Sequence, residues 1–234
     1  MKHGNKSKKF VKRRVRIQKL DKVLKKLYPE ASIELNFSTP WELMVAVQLS
    51  AQSTDKGVNK ITEKLFKKYK KLEDYVRATQ REFEQDIFAS GFYRNKAKNI
   101  LGAARMVKNE FGGTLPTTIG EMLRIPGVAR KTATVVLNEA HGVVAGITVD
   151  THVIRFVTRF DLSDYRDPVR IERDLMQLLP EKEWGTFTHR VIHYGRYLAP
   201  ARPYDTALDP LIKIYPAAAK RFRTNSGKSS LKNP

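Results

Sequence analysis

Apolar residues recur along this chain at the three- and four-residue intervals of a helix and almost nowhere at the two-residue interval of a strand. Ile17, Leu20, Val23, Leu24 and Leu27 form one stripe, which predicts a helix ending near Tyr28, before Pro29. Thr39 fits an N-cap with Pro40 at the first helical position, and Trp41, Leu43, Met44, Val45, Val47 and Leu49 leave that helix almost no polar face. It is predicted to be buried. Thr54 or Asp55 opens another, with Val58, Ile61, Leu65 and Phe66 inward and lysines outward. Thr79 with Glu82 and Thr118 with Glu121 match the capping-box spacing. A long helix from about Arg94 to Phe111 stops at Gly112-Gly113, and one from Ala129 to His141 stops at Gly142. Further helical segments fall near 151–160, 168–179 and 184–197. Only Gly146–Val149 reads as extended chain, too short for a sheet, so the predicted fold class is all-α, without internal repeats.

Charge changes that picture from a helical protein to one with a polyanionic partner. The 234 residues hold 44 Lys and Arg against 24 Asp and Glu, a formal net charge of +20. Residues 1–26 set a run of lysines and arginines against Asp21 alone, and residues 217–234 carry Lys220, Arg221, Arg223, Lys228 and Lys232 with no acid. Both ends read as phosphate-seeking arms: a flexible basic arm at 1–15 and a basic tail at 217–234. With no cysteine, disulfides and thiolate ligation of zinc or iron–sulfur clusters are excluded. No apolar run approaches the ~20 residues of a membrane span, and no secretory segment precedes the first helix, so a cytoplasmic protein without a membrane partner is expected.

The candidate chemistry lies at Ile125-Pro-Gly-Val-Ala-Arg-Lys-Thr-Ala133 and Val149-Asp-Thr-His152. A Pro126-Gly127 turn between two helices lets backbone N–H groups approach a phosphate, and Arg130 and Lys131 follow it at the start of the second helix. Lys131 reads either as a solvated surface lysine or as an amine nucleophile, which needs a free-base fraction near neutrality. Asp150 reads as an ordinary N-cap, or as the carboxylate that stabilises an oxocarbenium-like sugar and helps deprotonate the amine. The residues alone leave both questions open.

Four further stretches extend the pattern: Glu34-Leu-Asn-Phe-Ser-Thr-Pro-Trp-Glu42, Leu49-Ser-Ala-Gln-Ser-Thr-Asp55, Gly91-Phe-Tyr-Arg-Asn-Lys96 and Gly195-Arg-Tyr197. Over about residues 16–216 the chain resembles the helix–hairpin–helix DNA glycosylases, and within them the endonuclease III family. The resemblance implies a two-domain architecture with a DNA-binding cleft between the domains. A six-helix domain would span 34–144, and 16–33 plus 145–216 would form a second helical domain. It implies a base-excision-repair glycosylase with AP lyase activity, a monomer associated with the nucleoid. Its partner would be double-stranded DNA carrying oxidised pyrimidines or abasic sites. Lys131 would be the Schiff-base nucleophile and Asp150 its catalytic partner. Gln52 stands where the family inserts a side chain into the space left by an extruded base, and Phe92 where it uses leucine as a wedge. Arg94, Gly127, Ala129, Arg130, Thr132, His152, Arg196 and Arg202 complete the implied DNA contacts. Lysine at position 131, rather than tyrosine or serine, argues against relatives that act on thymine mismatches or on adenine opposite oxidised guanine.

Three departures from the family pattern stand out. Ala129 replaces a second hairpin glycine, and Tyr194 replaces a frequent histidine. The four cluster-binding cysteines align with Ala199, Thr206, Asp209 and Tyr215, so the loop is kept and the iron–sulfur cofactor is expected to be absent. An apolar plug of Leu198, Tyr204, Leu208, Leu211, Ile212, Ile214 and Tyr215 is expected to hold that loop. Two rival readings remain. One moves the substrate to uracil, mismatched thymine or abasic sites alone; the other makes the chain a non-catalytic helix–hairpin–helix DNA-binding protein.

Overall fold

A computed structural model describes residues 2–219, with side chains from Lys8 onward. Every regular element among them is helical. The chain divides into two compact units, Ile33–Ala145 and a discontinuous one made of Met1–Ser32 with Gly146–Pro234. Each has its own hydrophobic core.

Helix α1 (Lys2–Leu27) opens the discontinuous unit. Its stripe buries Ile17, Leu20 and Leu24 completely. The continuous unit follows with α2 (Pro40–Ser50), α3 (Asp55–Lys68), α4 (Leu72–Arg77), α5 (Gln80–Asp86), α6 (Tyr93–Glu110), α7 (Ile119–Met122) and α8 (Arg130–Ala140). Thr39 accepts a hydrogen bond from Glu42 N at 3.1 Å, and Pro40 leads the helix, so α2 begins where its sequence says. Every residue from Leu43 to Leu49 is buried. A helix apolar all round belongs at the centre, and α3, α6 and α8 pack around it. Trp41, Tyr69, Tyr75 and Phe83 add a ring cluster, with centroids 5.1 Å (Tyr69–Tyr75) to 5.8 Å (Tyr75–Phe83) apart. At Thr118 the capping box closes differently from its usual form. The hydroxyl accepts from Glu121 N at 3.3 Å but donates to the Glu121 carboxylate at 2.6 Å.

The discontinuous unit resumes with α9 (Thr151–Arg159), α10 (Pro168–Leu178) and α11 (Trp184–His193). A π-helical turn (Tyr194–Leu198) and α12 (Pro210–Ile214) complete it. Asp21, the lone acid of the basic N-terminus, is 4 % exposed and has a structural task. It accepts from Arg190 at 2.8 Å and Lys25 at 3.0 Å, and Glu183 joins both cations, which fastens α1 to α11.

Of the flexible arm expected at 1–15, residues 2–15 are instead the first half of α1. Arg13 donates to the Asp161 carbonyl at 3.1 Å and to the Asp164 carboxylate at 2.8 Å, while Lys9 pairs with Asp164 at 2.5 Å. Arg16 donates to the Phe160 and Asp161 carbonyls, each at 2.7 Å; the first is the C-cap of α9 and the second lies just beyond it, where a cation is favoured. These protein partners hold part of the basic run in helical register. Lys8, Lys12, Arg14, Lys19, Lys22 and Lys26 remain exposed. The expected basic tail lies outside the described residues from 220 onward. No described helix is long and apolar enough to cross a membrane.

Candidate active site

Between α7 and α8 the chain turns sharply, with Val128 N bonding back to Ile125 O at 3.1 Å. Gly127 takes φ +75°, and a Cβ on it would lie 2.6 Å from Gln48 Oε1 and 2.8 Å from Asn99 Cβ. Both the dihedral and the space require glycine. Gln48, buried on α2, donates from Nε2 to the Pro126 carbonyl at 3.3 Å and so pins the turn from inside.

Helix α8 then starts without a side-chain cap, because its N-cap residue is Ala129. In α2, α3, α5, α9 and α10 a Thr or Asp side chain satisfies a first-turn N–H; in α8 none does. Open N–H groups behind a tight turn suit an anion. Ala129 has φ −87° and ψ 170°, an extended conformation any residue adopts, so a second glycine is not required by the backbone. Lys131 is exposed at the second position of α8, and no ion pair or hydrogen bond among the described residues holds its amine. Arg130 and Thr132 flank it, each half-buried.

Two other loops of this unit carry the residues expected to enter DNA. Gln52 is exposed with φ 58°, and Phe92 is 70 % exposed with φ 48°. Left-handed backbone is strained for side chains of this kind. The loops are tied together beneath: Ser53 Oγ donates to Ser90 O at 2.6 Å, and Lys96 Nζ donates to Leu49 O and Ser90 O, each at 2.7 Å. Arg94 is exposed on the first turn of α6, its guanidinium 5.3 Å from the Tyr93 ring centroid.

In the discontinuous unit Asp150 caps α9, with Oδ1 accepting from Val153 N at 2.9 Å. The capping reading of this residue therefore holds, and Oδ2 takes no part in it. His152 sits two residues further on, its Nδ1 3.3 Å from Arg155 NH2. Arg155 also donates to Gly195 O at 3.2 Å and Ala199 O at 3.4 Å. Burial and the neighbouring Arg159 lower its pKa, against the pull of Asp150. A Cβ on Gly195 would fall 2.5 Å from His152 Nδ1. Arg196 and Arg202 are exposed on the following turn and loop. The structure thus groups Gly127, Ala129, Arg130, Lys131 and Thr132, ties Gln52 to Phe92, and joins Asp150 and His152 to the turn bearing Arg196. Arg202 stands apart from these groups in sequence and contacts.

Comparison with known proteins decides the family. Residues 45–181 match the HhH-GPD superfamily of base excision DNA repair proteins. The chain is 49 % identical to endonuclease III of Synechocystis over 77 % of its length and 82 % of that protein. It is 44 % identical to endonuclease III of Bacillus subtilis over 83 % of its length and 89 % of the relative. A non-covalent endonuclease III–DNA complex superposes with TM-score 0.84 at 39 % identity, covering 90 % of this chain and 98 % of the other. A trapped endonuclease III–DNA covalent intermediate does so with TM-score 0.84 over 90 % of this chain and 99 % of the other. The chain belongs to the endonuclease III family. It is a base-excision-repair enzyme of that family, a DNA glycosylase with AP lyase activity.

The resemblance implies a C-terminal iron–sulfur cluster in most members of the family, and the residues here do not fit one. The aligned position Ala199 has no ligating atom, and there is no cysteine anywhere in the chain. Asp209, at another such position, is 1 % exposed and fully engaged. Its Oδ2 accepts from Tyr194 and Tyr204 hydroxyls, each at 2.5 Å, and its Oδ1 accepts from Leu211 N at 2.9 Å. Arg159 completes the group, 3.5 Å from Asp209 and donating to the Tyr194 hydroxyl at 3.3 Å. Burial first, and Asp209 second, push both tyrosines up, Tyr204 to about 12. The expected apolar plug loses one member and gains a polar centre. Leu211 is fully buried, and Leu198, Tyr204, Ile212, Ile214 and Tyr215 pack against the same core, but Leu208 is 76 % exposed, and a buried carboxylate lies in the loop beside them. Two departures prove to be one, since the tyrosine at 194 reaches the aspartate at 209.

Sequence reasoning missed Gln48, Lys96, Arg155 and the role of Asp209. Gln48 and Lys96 did leave a trace. The first is polar within a run of apolar positions, and the second lies next to Ala97 on the buried face of α6.

Proposed function

We propose that this endonuclease III-like enzyme removes oxidised pyrimidines from double-stranded DNA and then cuts the strand, with Lys131 as nucleophile. The open N-terminus of α8 behind the Gly127 turn, with a lysine amine exposed on it, is the observation that carries this reading. In its free-base form Lys131 Nζ attacks C1′, and the C1′–N bond breaks with its electron pair leaving on the base. Asp150 stabilises the positive charge that develops on the sugar and receives the proton that the amine sheds. The sugar opens to an imine on Lys131. A proton then leaves C2′, the C3′–O bond breaks with its electrons on the phosphate, and hydrolysis releases the lysine. Backbone N–H groups at the hairpin, with Arg130 and Thr132, bind the phosphate that sets this geometry. Gln52 and Phe92 enter the duplex where the base has left, and Arg94, His152, Arg196 and Arg202 contact the backbone.

In this reading the chemistry needs no iron–sulfur cluster, and the enzyme works as a monomer in the cytoplasm, associated with the nucleoid. Borohydride trapping on duplexes carrying thymine glycol, uracil or an abasic site tests the substrate. Adducts on thymine glycol and abasic DNA are expected. Trapping on uracil alone would move the substrate, and no adduct on any duplex would leave a DNA-binding protein without chemistry.

A further inference from the structure

Lys96 projects from α6 into the interior and is 7 % exposed. Its Nζ donates to Leu49 O and Ser90 O, both at 2.7 Å, and lies 3.5 Å from Ser53 Oγ. All three acceptors are uncharged, and they match the three donors of an ammonium. Burial lowers its pKa from the ordinary lysine value. For core packing alone methionine would serve better, since a buried cation without a carboxylate is costly.

The positions of the acceptors explain the lysine. Leu49 O belongs to the last turn of α2, where carbonyls lack helical partners and a cation is favoured. Ser90 O ends the short 3₁₀ turn Phe88–Ser90. Gln52 stands just beyond the first anchor and Phe92 just beyond the second, both left-handed and both exposed. Exposed side chains return little packing energy to the fold, so the strain in these two residues is sustained by the anchors beneath them.

We propose that Lys96 is a positioning residue for base extrusion, fixing Gln52 and Phe92 relative to each other so that both enter the duplex together. The inference rests on the insertion reading of those two side chains. It is tested by single-turnover excision of thymine glycol from a duplex and by the fluorescence of 2-aminopurine beside an abasic site. Both are measured for Lys96→Met, Ser53→Ala, the double variant Gln52→Ala/Phe92→Ala, and their combinations. Lys96→Met is expected to slow excision by about 10- to 100-fold and to reduce the fluorescence rise on binding. In the background lacking Gln52 and Phe92 it should slow excision no further, because a positioning residue has nothing left to position. An equal loss in both backgrounds, or no loss in either, overturns the proposal. If Lys96→Met fails to fold, Ser53→Ala runs the same cycle, since it removes one tie and leaves the buried charge in place. Wild-type rates for Gln52→Ala/Phe92→Ala would instead overturn the insertion reading itself, and the proposal with it.

Discussion

The turn before α8 and the loop before α12 each hang on one buried polar side chain, Gln48 in the first and Asp209 in the second. Gln48 makes one bond to the Pro126 carbonyl and otherwise works by shape, filling the space that Gly127 leaves. Asp209 works by bonding, taking two tyrosine hydroxyls and a backbone N–H on its two oxygens. The outcome differs in the same sense. The turn leaves its helix N-terminus and Lys131 open, whereas the loop spends its buried carboxylate on Tyr194, Tyr204 and a backbone N–H and keeps Arg202 at its surface. In both, the group that holds the segment is different from the groups the segment presents.

The largest effect should come from the open side of this contrast. Asp150→Asn keeps the cap bond to Val153 N, since asparagine caps as well as aspartate. Excision is expected to fall by about 10²- to 10⁴-fold with thermal stability unchanged. Unchanged activity in single-turnover assays would reduce Asp150 to its cap. Asp209→Ala should act in the opposite way. It takes a shared anionic acceptor from Arg159, the buried Tyr194 and the half-buried Tyr204, a loss of about 3–5 kcal/mol, with the melting temperature falling by roughly 6–20 °C. Borohydride trapping per folded molecule should persist. Melting with little change would show that the loop does not depend on the carboxylate.

Gly127→Ala is expected to cost about 1–3 kcal/mol through its positive φ and the clash with Gln48 and Asn99, and to weaken DNA binding in a fluorescence anisotropy titration. Ala129→Gly, at an extended φ of −87°, should change stability by no more than ~0.5 kcal/mol. Equal losses at the two positions would contradict the shape argument.

The smallest effect concerns acid. Hydrogen bonds from Arg13 and Lys9 hold the Asp164 carboxyl down to about 2. A depressed carboxylate gives its full stabilisation above the ordinary range, near pH ~4, and loses it as pH falls through about 2. Asp164 is 57 % exposed, so solvent screening keeps the contribution small. Asp164→Asn should flatten the acid limb of melting temperature against pH only slightly. A large shift there would mean that α1 is held chiefly by that pair.

Helix positions were largely legible because capping and periodicity are local. Thr39, Thr54, Thr79 and Asp150 cap the helices they precede in sequence. The course of residues 1–15 was not legible, because the partners that fix Arg13, at Asp161 and Asp164, lie far along the chain. The same holds for the loop before α12. Its spacing was visible, but an aspartate at 209 cannot be seen to meet Tyr194 until the chain is folded. At the hairpin the motif was plain, whereas the internal support from Gln48 depends on α2 lying beneath it.

The central claim is that Lys131 performs Schiff-base chemistry in a chain without cluster-binding cysteines. Its most direct test is borohydride reduction of the purified protein, prepared free of iron, on a duplex with one abasic site, followed by mass spectrometric mapping of the cross-link. The account predicts one DNA adduct, on the peptide containing Lys131, and none with Lys131→Gln. An adduct on another lysine, or trapping that appears only when iron is supplied, would contradict it.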